Sequence, residues 1–394
     1  MLNDMENTMT QESKSIENKG VTIRDIADRC GLGIATVSRA LNDKGQVTPK
    51  TAAKVRKVAA ELGYISTTND AARRLVSKRY GQQLKSRLVA VMFPPSFQLA
   101  TYFYMMYQGI LDVMQAERYS VLTIPIPFPA NNVTNDDAVR ELSRHDVDGI
   151  IIPLGQESGK FIKHLQKTPG MAAKPIMTIV YETDDCLGVI PDEFQGGYLA
   201  AEHLIKLGHR HIIQFTHPGG SDGVYYPSNR IAGVVHALES HGINPSTNLT
   251  YMSTPLLWYH PIYTGETEEK QQELIHHDQY MQSQLLKLLK EKKEITGILA
   301  INDANAIRVR YLLKEIGLQV PDDISIVGCD DVDAMLDDQG RNMLTTIQMP
   351  LRAMGQEAAR RILAKINDMP IEPEVLVLPP TLAIRGSTAE MRER

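Results

Sequence analysis

The sequence predicts a chain in two parts: a small all-α head, then a large α/β domain whose two lobes are each built on a parallel sheet. Three observations predict it. Residues 20–65 show short amphipathic periods broken by tight turns, as three packed helices require. Beyond Arg87, unbroken apolar runs alternate with helical segments at the spacing of βαβ units. At 394 residues the chain also exceeds what one hydrophobic core usually organises.

Residues 1–19 are polar and offer almost nothing to bury, so they read as a disordered tail. In the head, 20–65, Thr22 and Asp25 make a capping-box-like start for a helix with Ile23, Ile26 and Ala27 inward. Cys30-Gly31-Leu32 breaks it. A second helix from Gly33 or Ile34 to Asn42 keeps Val37, Ala40 and Leu41 for the core and leaves Ile34, Ala35, Ser38 and Arg39 outward. Thr48-Pro49 is an N-cap and N1 pair that opens a third helix, stopped at Gly63. Three short helices with a tight first turn make a helix-turn-helix unit.

Residues 66–86 read as a linker: polar Ser66 to Asp70, then the helix-prone Ala71-Ala72-Arg73-Arg74-Leu75. In the large domain, 87–390, buried parallel strands are expected at Leu88 to Phe93, Val121 to Ile126, Gly149 to Pro153, Pro175 to Val180, Ile212 to Phe215, Ile298 to Ile301 and Ile324 to Val327. One wound sheet could hold them all, but small-ligand receptors commonly split such a sheet into two lobes with a cleft at the strand ends. Residues 245–280, around Trp258, interrupt the alternation and read as an insertion on the second lobe.

The formal net charge of -5 hides an asymmetry: between Lys19 and Arg79 there are thirteen basic residues against five acidic ones, and the remainder is strongly acidic. A basic head on an acidic body suits a protein that sets only its N-terminus against phosphates, the other reading being a solvated basic surface. Cys30, Cys186 and Cys329 lie far apart without metal-ligand spacing, so neither a disulfide framework nor a metal site is suggested and a reducing cytoplasm is the simplest setting. No stretch approaches the roughly 20 apolar residues of a membrane span, and the N-terminus lacks a signal-peptide core. A phosphate-binding loop and a nucleophile elbow are both missing, so no enzyme and no cofactor is expected. Asp322-Asp323 and Asp330-Asp331 are neighbours on the chain that point apart, which disfavours acid and base work across a cleft. His209 and His211, flanking Arg210 before a strand, read as structural.

Val21-Thr22-Ile23-Arg24-Asp25-Ile26-Ala27, Gly31 and Thr36-Val37-Ser38-Arg39-Ala40-Leu41-Asn42 together resemble the headpiece of the lactose/galactose-repressor (LacI/GalR) family. Similar strings follow in order: Asp192 to Gly197, His203-Leu204, Leu207-Gly208-His209, Arg230 to Gly233, Ala300 to Asp303, Val320 to Gly328 and Leu344 to Ile347. The resemblance spans nearly everything from Val21 to Arg385. It implies a periplasmic-binding-protein-like fold for the two lobes, and a homodimer whose heads read half-sites of a near-palindromic DNA operator, the second helix lying in each major groove. By position it makes Ile34, Ala35 and Arg39 base readers and Thr22, Thr36, Ser38 and Asn42 phosphate contacts. It places a hinge helix at Ala71 to Leu75, with Leu75 the wedge into the minor groove. The chain departs from the family by about two extra residues between Tyr64 and Leu75, by Ser66 where a proline is common, and by Gly33 where a serine is frequent.

For the effector the resemblance points to Tyr102 and Phe103 from the first lobe, Arg230 and Asp303 from the second, and Asp192 at the cleft edge. Aromatic rings with Arg and Asp suit a polyol or a nucleobase. An ion pair between Arg230 and Asp303 is the other reading of those two. Val180 stands where an aspartate often meets ligand, and Met349 where a glutamine is usual. The implied function is an allosteric, sequence-specific repressor governed by a small molecule, a sugar first. A nucleobase or a protein corepressor is the alternative effector, and a sugar receptor that binds no DNA is the rival function.

Overall fold

The computed structural model describes residues 22–41, 47–62, 85–93, 101–126, 136–153, 158–183, 186–216, 228–254 and 268–392. The tail 1–19, Asn42, the hinge segment with Leu75 and the surroundings of Trp258 lie outside the described residues. The chain divides into two compact units, Met1–Lys85 and Ser86–Arg394.

The first unit holds helices α1 (Ile23–Cys30), α2 (Ile34–Leu41) and α3 (Pro49–Glu61). Thr22 caps α1 in a full capping box: the Asp25 amide donates to its hydroxyl at 3.3 Å, while its own amide donates to the Asp25 carboxylate at 2.7 Å. The helix ends where Gly31 turns left-handed at φ 66°, a conformation that costs glycine nothing. Ile26, Ala27, Cys30, Val37, Ala40, Val55 and Ala59 form its buried core.

The second unit carries two six-stranded sheets among the described residues. The first lobe has β1 (Leu88–Phe93), β2 (Ser120–Pro125), β3 (Gly149–Ile152), β4 (Ile176–Ile179), β5 (Leu187–Pro191) and β11 (Val375–Leu378), in the order β11-β5-β4-β3-β1-β2 and all parallel. The second has β6 (His211–Thr216), β7 (Leu249–Ser253), β8 (Ile295–Leu299), β9 (Ser325–Asp330), β10 (Thr345–Gln348) and β12 (Thr381–Ala383), in the order β12-β10-β9-β8-β6-β7; only β12 runs antiparallel, against β10. The expected two-lobe, parallel-sheet fold is therefore present. Every residue of β3 and β4 is buried, because helices cover both faces, and that is why those strands read as unbroken apolar runs.

Helices α4 (Thr101–Ala116), α5 (Asp136–Arg144), α6 (Ser158–Lys167) and α12 (Leu351–Ile366) pack the first lobe; α7 (Glu193–Lys206), α8 (Ser228–Ser240), α9 (Pro245–Asn248), α10 (Glu268–Glu291) and α11 (Asp303–Glu315) pack the second. The chain crosses between lobes after β5, after β10 and after β11. Each lobe contains one helix pair locked by reciprocal glycines. A Cβ on Gly109 of α4 would sit 2.0 Å from the Arg352 carbonyl oxygen of α12, and one on Gly355 would sit 2.0 Å from that of Met106. In the second lobe Gly197 of α7 meets the Arg230 carbonyl at 1.9 Å and Gly233 of α8 meets that of Phe194 at 2.0 Å.

Of the stretch 245–280, the described residues 245–254 and 268–280 belong to the strands and helices of the second lobe, while the segment around Trp258 lies outside the described residues. The stretch contains β7, paired in parallel with β6, and the first part of α10, which Arg308 of α11 holds through two bonds to Asp278 at 2.7 and 2.5 Å. β7 escaped notice because it is an edge strand: Leu249 and Met252 point in while Tyr251 and Ser253 stay exposed, so no apolar run marks it.

Candidate functional site

In the head, α2 turns Val37 and Ala40 into the core and exposes Ile34, at 48%, with Ala35 and Arg39 beside it. Thr36 and Ser38 are half-buried at the flanks of that face. Thr22 is exposed, but its hydroxyl already donates to Asp25 at 2.7 Å, which sets it to work on the helix start first. The face has the width of one helix and its apolar and guanidinium groups match the chemistry of base edges in a major groove.

In the large unit, the strand order reverses between β1 and β3 in one lobe and between β6 and β8 in the other, and the crevice at such a reversal, outside the carboxyl ends of the strands, is where open α/β sheets gather ligands. Arg230, from the helix after β6, lies at the second reversal. Its Nη1 donates to the Ile301 carbonyl, beyond β8, at 2.7 Å, and its Nε donates to Glu193 at 2.7 Å. Asp330 closes β9, and Tyr181 follows β4 in the other lobe, where the charges of Glu193, Arg230 and Asp330 act on its hydroxyl. Among these groups, Arg230 and Glu193 are in direct contact.

Strained turns carry Tyr181 and Asp330. Val180 sits at φ 81° just before Tyr181, and Asp330 and Asp331 at φ 106° and 59°, left-handed conformations that cost a non-glycine residue about 1–3 kcal/mol each. Asp331 is clasped by Arg385 at 2.8 Å and by the Gln348 amide at 2.8 Å, which over-determines the second turn. Burial pushes the Tyr181 hydroxyl up to about 12, with the charges of Glu193 and Asp330 adding to it, so the phenol stays protonated. Burial also pushes the Asp330 carboxyl up to about 7, against the opposing charge of Arg230.

The other expected effector residues divide. Tyr102 and Phe103 start α4, their rings 5.4 Å apart and nearly perpendicular, with Phe103 also 6.1 Å from Phe93 at the end of β1. Asp192 caps α7, accepting from the Gln195 amide at 2.9 Å. Asp303 is fully buried and takes three donors of its own: Thr346 at 2.5 Å, the Val332 amide at 2.7 Å and the Asp333 amide at 3.3 Å. Arg230 and Asp303 are thus each engaged elsewhere, and the ion pair between them is corrected to one between Arg230 and Glu193. Met349, just after β10, is buried in the core.

Residues 22–67 match the family described as bacterial regulatory proteins, lacI family, residues 93–254 match the periplasmic binding proteins and sugar binding domain of the LacI family, and residues 201–388 match a periplasmic binding protein-like domain. The chain belongs to the LacI family. It is a DNA-binding transcriptional regulator with a ligand-binding domain. Among LacI-family relatives, the HTH-type transcriptional regulator DegA of Bacillus subtilis is 29% identical over 94% of this chain and 98% of its own length. The crystal structure of the lac repressor dimer bound to operator and the anti-inducer ONPF is 25% identical, covers 94% of this chain and 100% of that one, and superposes with a TM-score of 0.69. A LacI-family regulator from Enterococcus faecium with bound ribose is 26% identical, covers 77% of this chain and 100% of its own, and has a TM-score of 0.58.

In this LacI-family chain the sequence reading missed Tyr181 and Glu193 and set Asp330 aside. Asp330 carried a signal: it ends the apolar run from Ile324, where cleft residues collect. Glu193 lay unremarked inside the string Asp192 to Gly197. Among the described residues no three of His, Cys, Asp and Glu converge to hold a metal, and no helix is long and apolar enough to cross a membrane.

Proposed function

We propose that this chain is a cytoplasmic, homodimeric repressor that reads a near-palindromic operator through Ile34, Ala35 and Arg39 and answers to a sugar or sugar-like polyol held between its lobes. The observation that carries the effector reading is the Arg230–Glu193 pair at the strand-order reversal of the second lobe, whose charges also act on the Tyr181 phenol and the Asp330 carboxyl. Hydroxyl groups both donate and accept, so a polyol satisfies such a mixed set without leaving a buried charge unpaired. The ribose-bound relative and the family's sugar-binding domain support the same class. Repression and dimerisation rest on the lac repressor dimer on its operator.

A thermal-shift screen of pentoses, hexoses, their phosphates and nucleobases tests the reading, since a ligand that binds only the folded state raises its melting temperature. A pentose or hexose that raises it and changes operator affinity is the expected result. Stabilisation by a nucleobase alone would replace the sugar with that class.

A further inference from the structure

We propose that Glu193 is the charge filter of the cleft: by occupying the Nε edge of Arg230 it restricts the effector to uncharged polyhydroxylated molecules and shuts out phosphorylated or carboxylated ones. The proposal rests on the reading of this cleft as the effector site. Guanidinium groups take phosphate and carboxylate by presenting two parallel N–H donors, and one of those two-pronged faces runs through Nε. Glu193 already holds that edge of Arg230, at 2.7 Å, and the Ile301 carbonyl holds Nη1 at 2.7 Å. Both members of the ion pair are shielded, with side-chain exposures of 11% for Arg230 and 17% for Glu193, so the pairing is little weakened by solvent.

The charge count points the same way. Arg230 is the cation that acts on Tyr181, Cys329 and Asp330 alike, and Glu193 is an anion acting on all three. The guanidinium is therefore neutralised by Glu193 inside the protein before any ligand arrives. An incoming phosphate would bring negative charge against the Glu193 carboxylate in a poorly screened site, a like-charge arrangement that costs affinity and that Asp330 strengthens as it ionises above about 7. Glu193 is itself fixed in place: it opens α7, where the helix N-terminus favours an acid, and α7 is locked against α8 by the Gly197 and Gly233 contacts, so the spacing between the two side chains is set by backbone.

The test uses the full chain and inorganic phosphate as probe, by titration calorimetry at neutral pH and low salt. The Glu193→Gln variant keeps the shape of the side chain and removes its charge. It should bind phosphate at least tenfold more tightly than the unmodified protein, and the Glu193→Gln, Arg230→Met double variant should return to the unmodified level, which locates the gain at Arg230. Glu193→Asp keeps the charge and should keep phosphate out, an outcome that a purely structural role for residue 193 would not give. Equal phosphate affinity in the unmodified protein and Glu193→Gln, with both folded by circular dichroism, overturns the proposal. Operator affinity, read in the same samples, separates the two layers: phosphate binding to Glu193→Gln with operator affinity unmoved leaves the filter standing and refutes the effector reading beneath it.

Discussion

The Thr346 hydroxyl, on β10, donates to the buried Asp303 carboxylate at 2.5 Å, and the Val332 amide donates to the other oxygen at 2.7 Å. One side chain at the start of α11 thereby holds the turn after β9 to the strand beside it. Gly328 completes the fit: a Cβ there would lie 2.6 Å from Asp303 Oδ1. Truncating Asp303 leaves three buried donors without an acceptor, so Asp303→Ala should lower unfolding stability by about 2–5 kcal/mol, read from the urea midpoint. Full stability with loss of effector response alone would make Asp303 a ligand contact instead.

The same carboxyl makes stability depend on pH. Burial, with the charge of Asp330 adding to it, pushes it up to about 8 from an ordinary 3.8, against the hydrogen bonds that Thr346, Val332 and Asp333 donate. Folding thus favours the protonated acid. Its contribution is full below the unfolded value and is lost as pH rises through about 8. Relative to Asp303→Asn, the unmodified protein should lose stability between pH 5 and 8; parallel stability curves for the two would show the carboxyl to be ionised in the fold.

The reciprocal glycines carry a sharper expectation. Gly233→Ala forces a methyl to within 2.0 Å of the Phe194 carbonyl oxygen, which is backbone and cannot swing away. The helices must separate, at a cost of about 1–3 kcal/mol or more. Since α7 carries Glu193 and α8 carries Arg230, effector affinity should fall along with melting temperature, whereas Gly242→Ala, in open space, should strain only its own backbone at φ 72° and spare the cleft.

These residues also mark how far the sequence could be read. β3 and β4 were legible because burial on both faces writes a continuous apolar run; β7, β11 and β12 were not, being edge strands with partly exposed faces, nor were β5 and β10, short interior strands in which Gly188 and the polar Thr345, Thr346 and Gln348 leave no apolar run. Arg230 was legible through resemblance. Tyr181 and Glu193 were not: Glu193 stands out only through its bond to Arg230, and Tyr181 only through charges that reach it from the other lobe, which no local spacing encodes. Asp303 sat in a family-like string and also accepts three hydrogen bonds from its own fold, a structural role visible only once Thr346 and Val332 are in place.

For the head, Arg39→Ala should reduce affinity for the selected operator by about 1–3 kcal/mol and relax preference at one base position, with non-specific binding nearly unchanged. The motive is its exposed place on α2 beside Ile34 and Ala35. Gel-shift titration at fixed salt on matched and scrambled sites decides it. A uniform loss over all sequences would assign Arg39 to phosphate.

The last prediction concerns two histidines that fasten the C-terminal segment to the second lobe. His209 is 3% exposed; its Nε2 lies 3.0 Å from the Ala389 carbonyl and its Nδ1 2.8 Å from the Thr296 hydroxyl. A carbonyl only accepts, so Nε2 carries the proton and Nδ1 accepts from Thr296, which is the neutral ring. His203 reaches the neighbouring Thr388 at 2.9 Å, and Ser387, fully buried, ties the same segment to Ile326 and Thr345. Burial holds both rings below the usual 6.5, with His209 and Lys206 adding to the effect on His203, and Arg210 adding to that on His209 against the Ala389 bond. The sign follows. Above about pH 6.5 both states hold the rings neutral, and below it the unfolded chain takes up protons that the fold refuses, so stability is lost as pH falls through 6.5 and levels off at the folded values. Proton NMR of the imidazole resonances should give both titrations below 6.5, and amide exchange of 387–391 should quicken in the same acid range, whereas His209→Asn, which cannot titrate, should weaken that dependence. Titration of His209 at or above 6.5 would mean that a charged ring is tolerated there, and the acid-sensitive fastening would be wrong.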